Sequence, residues 1–218
     1  MIKNSPEPAA DIKARADSTL EVLRRLYPDP APHLLFGNPW ELLVATVLSA
    51  QCTDVMVNRV TPELFKTLPD IPAFAAVRPE TLETLIHSTG FYKNKAKHLI
   101  AAARSILDNF NGQVPDNMQD LLTLDGVARK TANVVLCGAF GKNEGMAVDT
   151  HVGRIAVRLG LCERGNPEFI ERSLCAVFPR EEWGNVNHRL VSFGREYCSA
   201  RAPSCPRCPM QDFCPRIM

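Results

Sequence analysis

Three features of this 218-residue chain have the residue types and spacing to do chemistry: a cysteine quartet, a lysine just after a tight turn, and an aspartate just before an apolar helix. Cys198, Cys205, Cys208 and Cys214 follow the pattern C-x6-C-x2-C-x5-C, interleaved with Pro203, Pro206, Pro209 and Pro215. Four thiolates on a loop that cannot be helical make a tetrahedral ligand set for one metal centre. The two-residue gap between Cys205 and Cys208 occurs in both zinc and iron–sulfur loops, so spacing leaves those two open. The prolines stiffen the loop and reduce the entropy lost on binding. Cys52, Cys137, Cys162 and Cys175 are scattered and read as small buried apolar residues.

Residues 121–136, LLTLDGVARKTANVVL, read as a helix end, a Gly-containing turn at Leu124–Ala128 and a second helix opening at Arg129. Such a junction leaves backbone amides unpaired at the second N-terminus, where the helix dipole favours a phosphate, although a plain helix–helix connection has the same look. Lys130 falls in the first turn of that helix, where the dipole disfavours an ammonium; burial would add to the effect. A lysine near its reference value of ~10.4 is almost wholly protonated at neutral pH, so an amine nucleophile needs such help. Its ordinary role would be a solvated helix-face lysine. Asp149, in Ala147-Val148-Asp149-Thr150-His151-Val152, stands where an N-cap belongs. Facing the lysine directly it would favour the ammonium, so its chemical role would be to stabilise positive charge on a sugar or to accept a proton.

The elements that must position these groups read as helices. Apolar residues recur at helical spacing almost throughout. Asn38-Pro39-Trp40-Glu41 is a cap, a first-turn proline and a capping-box glutamate, starting a helix that runs through ELLVATVLSAQ to Gln51. Gly90 and Gly112 follow TLETLIHST and KAKHLIAAARSILDNFN as terminating glycines. Further helices are expected near 11–26, 54–67, 115–123, 129–140, 150–159, 167–177 and 184–197. No stretch carries a strand, so the fold class expected is all-α. At 45% hydrophobic and 22% charged residues the chain can bury a core without disulfides, which excludes disordered and collagen-like readings. The N-terminal MIKNSPEPAADIKARAD lacks the apolar run of a secretory signal, and nothing approaches the ~20 apolar residues of a membrane span. A reducing cytoplasm and no membrane partner are therefore expected.

LxGVxRKTANVVL, VDTHV and the cysteine pattern, in that order, together resemble the endonuclease III family, bifunctional DNA glycosylases and AP lyases of the helix-hairpin-helix superfamily. LLVATVLSAQCTDVMVN and TGFYKNKA extend the resemblance from about residue 20 to 215. It implies a six-helix barrel domain at 32–143 and a second helical domain at 1–31 plus 144–218, with DNA in the groove between them. It also implies a [4Fe-4S] cluster in the loop at 198–214, held by Cys198, Cys205, Cys208 and Cys214. Lys130 matches the Schiff-base lysine and Asp149 the catalytic aspartate. Ser49 and Asp54 match groove-lining polar residues, and Gln51 and Phe91 match positions that wedge into DNA around an extruded base. Gly126, Ala128 and Arg129 in the hairpin, with His151 and Arg201, are further expected DNA contacts. The implied partner is double-stranded DNA with oxidised pyrimidines or abasic sites, bound by a monomer at a bacterial nucleoid. A monofunctional relative, a weakly active DNA-binding paralogue and a zinc-stabilised helical DNA-binding protein are the rivals.

Two positions depart from the family's usual LPGVGRKTA: Asp125 stands for proline and Ala128 for glycine. A carboxylate repels a bound phosphate, and alanine is strained at a positive φ or crowds a close backbone approach, so weaker DNA binding is expected. The net charge of +1 does not exclude DNA, because the charge is sorted along the chain. From Leu124 onward 13 Lys and Arg face 10 Asp and Glu, whereas residues 1–123 carry 12 against 14. Lys93, Lys95 and Lys97 read as a local basic strip beside Phe91. A modest grip of few phosphate contacts follows, and the logarithm of affinity for an abasic-site duplex is expected to fall only shallowly with the logarithm of salt concentration. A steep slope in a salt titration would contradict it.

Overall fold

The structure, a computed structural model, describes residues 9–30 and 32–217. Residues 1–8, 31 and 218, which belong to the terminal domain implied above, lie outside the described residues. Eleven α-helices and no strand are found among the described residues, the all-α class that the helical spacing predicts. None of these helices is long and apolar enough to cross a membrane. The chain divides into two compact units, one formed by Pro32–Glu144 and the other by the segments on either side.

Helix α1 (Ala9–Leu26) belongs to the flanking unit. The central unit holds α2 (Pro39–Leu48), α3 (Asp54–Thr67), α4 (Ile71–Ala76), α5 (Pro79–Ile86), α6 (Tyr92–Asn109), α7 (Met118–Leu121) and α8 (Arg129–Phe140). Every residue of α2 from Leu42 to Leu48 is buried, so this helix is the axis of the core rather than a face of it. Each leucine so enclosed contributes about 1.5–3 kcal/mol. Its start is held as the sequence predicts: Asn38 Oδ1 accepts from the Glu41 amide at 2.9 Å, and Glu41 accepts from the Gly37 amide at 2.6 Å. Helix α8 packs against α2 so closely that a Cβ on Gly138 would lie 2.7 Å from Leu42 Cδ2. Helices α4 and α5 both pack on α6, and Trp40 meets Phe74 edge-on at 5.2 Å.

The flanking unit adds α9 (Thr150–Arg158), α10 (Pro167–Val177) and α11 (Trp183–Glu196) to α1. Its core gathers Leu23, Val152, Ile155, Leu174, Leu190 and Phe193. Arg189 is buried, and its Nη1 donates to Glu182 Oε2 at 2.7 Å while Nε donates to the Tyr27 carbonyl at 3.0 Å. Arg24 completes the triad on Glu182 Oε1 at 2.7 Å, fastening α1 to the start of α11. The two guanidinium groups hold the Glu182 carboxyl below its usual range despite the opposing effect of burial, the largest single influence on it.

The helix boundaries differ from expectation at four places. Helix α2 stops at Leu48, not Gln51, because Gln51 adopts a left-handed backbone with φ 54°. The helix expected at 115–123 shrinks to the single turn α7, and α6 begins at Tyr92 rather than Lys95. TLETLIHST is α5 followed by a 3-10 turn, His87–Thr89. Helix α4 was not expected at all. Its signal was present, since Asp70 Oδ1 accepts from the Ala73 amide at 2.8 Å and Pro72 follows, but six residues are too few to display a 3.6-residue period.

Candidate functional site

In the central unit the hairpin is α7, the turn 122–128 and α8. Leu121, Leu124 and Val127 are buried, which pins the turn into the core at every third residue and leaves Asp125, Gly126, Ala128, Arg129 and Lys130 outward and exposed. The turn closes with the Val127 amide donating to the Leu124 carbonyl at 3.1 Å. Gly126 carries the left-handed conformation, φ 75°, and a Cβ there would sit 2.8 Å from His98 Cβ, so both backbone and space demand glycine. Asp125 Oδ1 lies 3.8 Å from His98 Nδ1. The imidazole offsets the carboxylate only when it is protonated.

Ala128 corrects one expectation. Its φ of −93° and ψ of 170° are ordinary extended backbone, so alanine bears no conformational strain there. The left-handed residue of the turn is Gly126, two positions earlier, and Ala128 is the N-cap of α8. Having no side-chain acceptor, it leaves the first-turn amides of α8 without the capping that Asn38, Thr53 and Asp149 give their own helices. Lys130 is the second residue of that helix and is exposed, so the protein alone supplies none of the burial considered above.

Two exposed turns of the same unit carry the expected wedge residues. Gln51 (φ 54°) and Phe91 (φ 49°) are two of four non-glycine residues with left-handed backbone among the described residues, and Phe91 is 61% exposed. A bulky apolar side chain held outward on a strained backbone is expensive to keep, which points to a use at the surface. Ser49 ends α2, its hydroxyl donating to the Thr46 carbonyl at 2.9 Å, and Asp54 opens α3. Lys95 was missed. Of the basic strip expected at Lys93, Lys95 and Lys97, only Lys93 and Lys97 are exposed; Lys95 is 5% exposed, and its Nζ donates to the carbonyls of Leu48 and Thr89, each at 2.8 Å. Burial lowers its pKa, partly opposed by the nearby Cys52.

The flanking unit contains Asp149, which caps α9 by accepting from the Val152 amide at 2.8 Å. The segment before it, Met146–Val148, is buried, and the Asn187 amide donates to the Ala147 carbonyl. His151 sits in the first turn of α9 with Nδ1 3.1 Å from Arg154 Nη2. Two arginines of α9 then hold the cysteine loop. Arg154 Nη2 donates to the Cys198 carbonyl at 2.8 Å, and Arg158 donates to the carbonyls of Ser199 (2.7 Å) and Ala200 (2.9 Å). Arg158 Nη1 also lies 3.4 Å from Cys198 Sγ. Arg201 and Arg207 are exposed on the loop so held.

Cys198, Cys205, Cys208 and Cys214 line one cavity of about 30 Å³, walled by Ile155, Leu159, Phe193, Tyr197 and Pro203. No three His, Cys, Asp or Glu side chains among the described residues are grouped closely enough to hold a metal ion directly. Four thiols on one apolar cavity are a donor set for a metal centre. Burial pushes the Cys208 and Cys214 thiols up. None of the eight cysteines is in a disulfide, and the scattered four are half-buried rather than fully buried as expected. Burial nevertheless raises Cys137, and raises Cys162 to about 11, so neither is a ready thiolate.

Residues 44–180 match the family model described as HhH-GPD superfamily base excision DNA repair protein. Endonuclease III of Synechocystis sp. is 49% identical over 206 residues, covering 94% of each chain. Endonuclease III of Escherichia coli K12 is 40% identical over 202 residues, covering 93% of this chain and 95% of its own. The solved structure of a trapped endonuclease III–DNA covalent intermediate superimposes with a TM-score of 0.90 at 42% identity, over 94% of this chain and 96% of that one. The anchored hairpin with its lysine, the helix-capping aspartate and the thiol quartet on one cavity thus sit within a likeness that spans nearly the whole sequence, and the chain belongs to the endonuclease III family of the HhH-GPD base excision DNA repair superfamily.

Proposed function

We propose that this DNA glycosylase and AP lyase removes oxidised pyrimidines from duplex DNA, with Lys130 as its nucleophile. The observation that carries the reading is the setting of Lys130: exposed, in the first turn of a helix whose N-cap offers no side-chain acceptor, directly after a turn pinned by Leu124 and Val127. The N-terminus of α8, where the cap residue offers no side-chain acceptor, holds a DNA phosphate and brings the sugar to the amine. Gln51 and Phe91 enter the duplex as the damaged base leaves the stack, Gln51 offering hydrogen bonds to the orphan base and Phe91 an apolar wedge. A lesion that has already weakened stacking lowers the cost of extrusion.

The Lys130 amine, once deprotonated, attacks C1′ while the bond from C1′ to the base breaks and the base leaves with the electron pair. Asp149 stabilises the positive charge that develops on the sugar. Opening of the ring gives an imine between Lys130 and C1′, and loss of a C2′ proton then expels the 3′ phosphate by β-elimination. Ser49, Asp54, Gly126, Arg129, His151 and Arg201 contact the DNA around this centre. Cys198, Cys205, Cys208 and Cys214 hold a [4Fe-4S] cluster, for which the four thiols on one apolar cavity are the support. When bound, it supplies four sulfur–iron bonds that fix the loop bearing Arg201 and Arg207, where those side chains can reach phosphates. In this reading Pro32–Glu144 is the six-helix barrel domain and the flanking unit the cluster domain.

Borohydride trapping on an oxidised-pyrimidine duplex is expected to give a covalent adduct that disappears in Lys130→Ala; an adduct that persists in that variant removes Lys130 from the role. Asp125→Pro is expected to tighten binding to an abasic-site duplex roughly fivefold, the effect of about 1 kcal/mol for one like charge at ~4 Å in water. Because Ala128 is unstrained, the gain should not require Ala128→Gly, and equal affinity in a titration would reject the repulsion. The purified protein is expected to be brown and to lose its iron and colour in Cys205→Ser; a colourless, zinc-containing protein would favour the zinc rival.

A further inference from the structure

Lys95 is a buried cation with a purpose that neither its helix nor its neighbours' packing explains. Its ammonium donates at 2.8 Å to Leu48 O and at 2.8 Å to Thr89 O, carbonyls 41 residues apart in sequence that end two different elements, α2 and the 3-10 turn His87–Thr89. Helix ends carry partial negative charge, which suits a cation. Beyond each carbonyl the chain reverses through a left-handed, exposed residue: Gln51 three positions after Leu48, and Phe91 two positions after Thr89. A buried ammonium is a costly means of filling space, since methionine would occupy the same volume without desolvating a charge. The ammonium adds direction, because two carbonyls bound to one nitrogen cannot move independently.

We propose that Lys95 is a positioning residue that clamps the Gln51 and Phe91 turns to one another, fixing the separation at which the two side chains enter DNA. The inference rests on the reading of Gln51 and Phe91 as the wedge and adds what sets their spacing. Lys95 itself, enclosed in the core, does not touch DNA. Its contribution is to base extrusion, not to the lyase step: an abasic site has no base to displace, so attack by Lys130 on a preformed abasic duplex depends less on the spacing of the wedge.

The test is Lys95→Met, with its fold checked by thermal melting, on two duplexes: one with dihydrothymine opposite aminopurine, and one with a preformed abasic site. A misplacement of about 1 Å can cost roughly a hundredfold, so single-turnover base release should fall at least ~10-fold relative to borohydride trapping on the abasic duplex. The aminopurine fluorescence change that reports the orphan base should shrink in parallel. Lys95→Gln, shorter but still a donor, is expected to fall between wild type and Lys95→Met, and carries the same comparison if Lys95→Met does not fold. An unchanged ratio of base release to trapping, whether both activities persist or both fall together, overturns the clamp, the second case making Lys95 merely structural. Gln51→Ala and Phe91→Ala separate the two readings. If these leave base release and fluorescence unchanged, the wedge assignment itself fails; if they impair both and the Lys95 variants do not, the clamp alone fails.

Discussion

Enclosure of α2 is the constraint from which the rest of the central unit follows. A helix buried on every side cannot turn polar groups to solvent, so its ends must be satisfied locally or by neighbours. Asn38 and Glu41 do this at the start, and at the other end one carbonyl, Leu48 O, is taken by the Lys95 ammonium. Helix α8 approaches so near to Leu42 that Gly138 is required, and α8 brings Lys130 at its first turn. Both ends of the proposed DNA-binding surface, the hairpin and the Gln51 turn, are thereby referred to a single enclosed helix.

The hairpin shows how a flexible-looking turn becomes a defined one. Burial of Leu121, Leu124 and Val127 leaves the intervening backbone little freedom, and His98 beneath Gly126 excludes any side chain at the left-handed position. Ala128 then enters α8 in relaxed extended geometry. Of the two departures from the family's motif, Ala128 therefore carries no backbone strain, and the penalty expected of Asp125 is electrostatic and arises only against a bound phosphate.

In the flanking unit the same division of labour recurs between a rigid helix and an irregular loop. The cysteine loop has little regular structure beyond the turn Cys205–Arg207, and its carbonyls are taken up by Arg154 and Arg158 of α9. Asp149 caps the other end of α9, so one short helix orients both the proposed catalytic carboxylate and the start of the cysteine loop. The dual use of Asp149 is physically consistent. A carboxylate fixed by one amide keeps lone pairs on its second oxygen for a developing cation.

Most helices, the hairpin's place, the N-cap role of Asp149 and the cysteine quartet were legible in the sequence, because caps, terminating glycines, apolar period and ligand spacing are local and need only a few neighbouring residues. Six-residue α4 escaped because a short element cannot show its period, and the end of α2 was misplaced because nothing in SAQ announces the left-handed Gln51. Of the two costs expected of Ala128, strain or crowding, strain is absent, because glycine's place in the family's motif does not reveal which residue takes the positive φ. What only the tertiary structure decided is which residues of similar local appearance are inside. Lys95 stands among Lys93 and Lys97 with the same charge and the same helix. It is buried because its position on α6 faces the ends of α2 and of the 3-10 turn, and those acceptors lie 47 residues before it and 6 residues before it in the chain. The start of the cysteine loop is likewise held from outside it, by Arg154 and Arg158 reaching across some 40 residues. Spacing along the chain identifies ligands and caps; burial and carbonyl partners come from distant segments, and only folding brings those together.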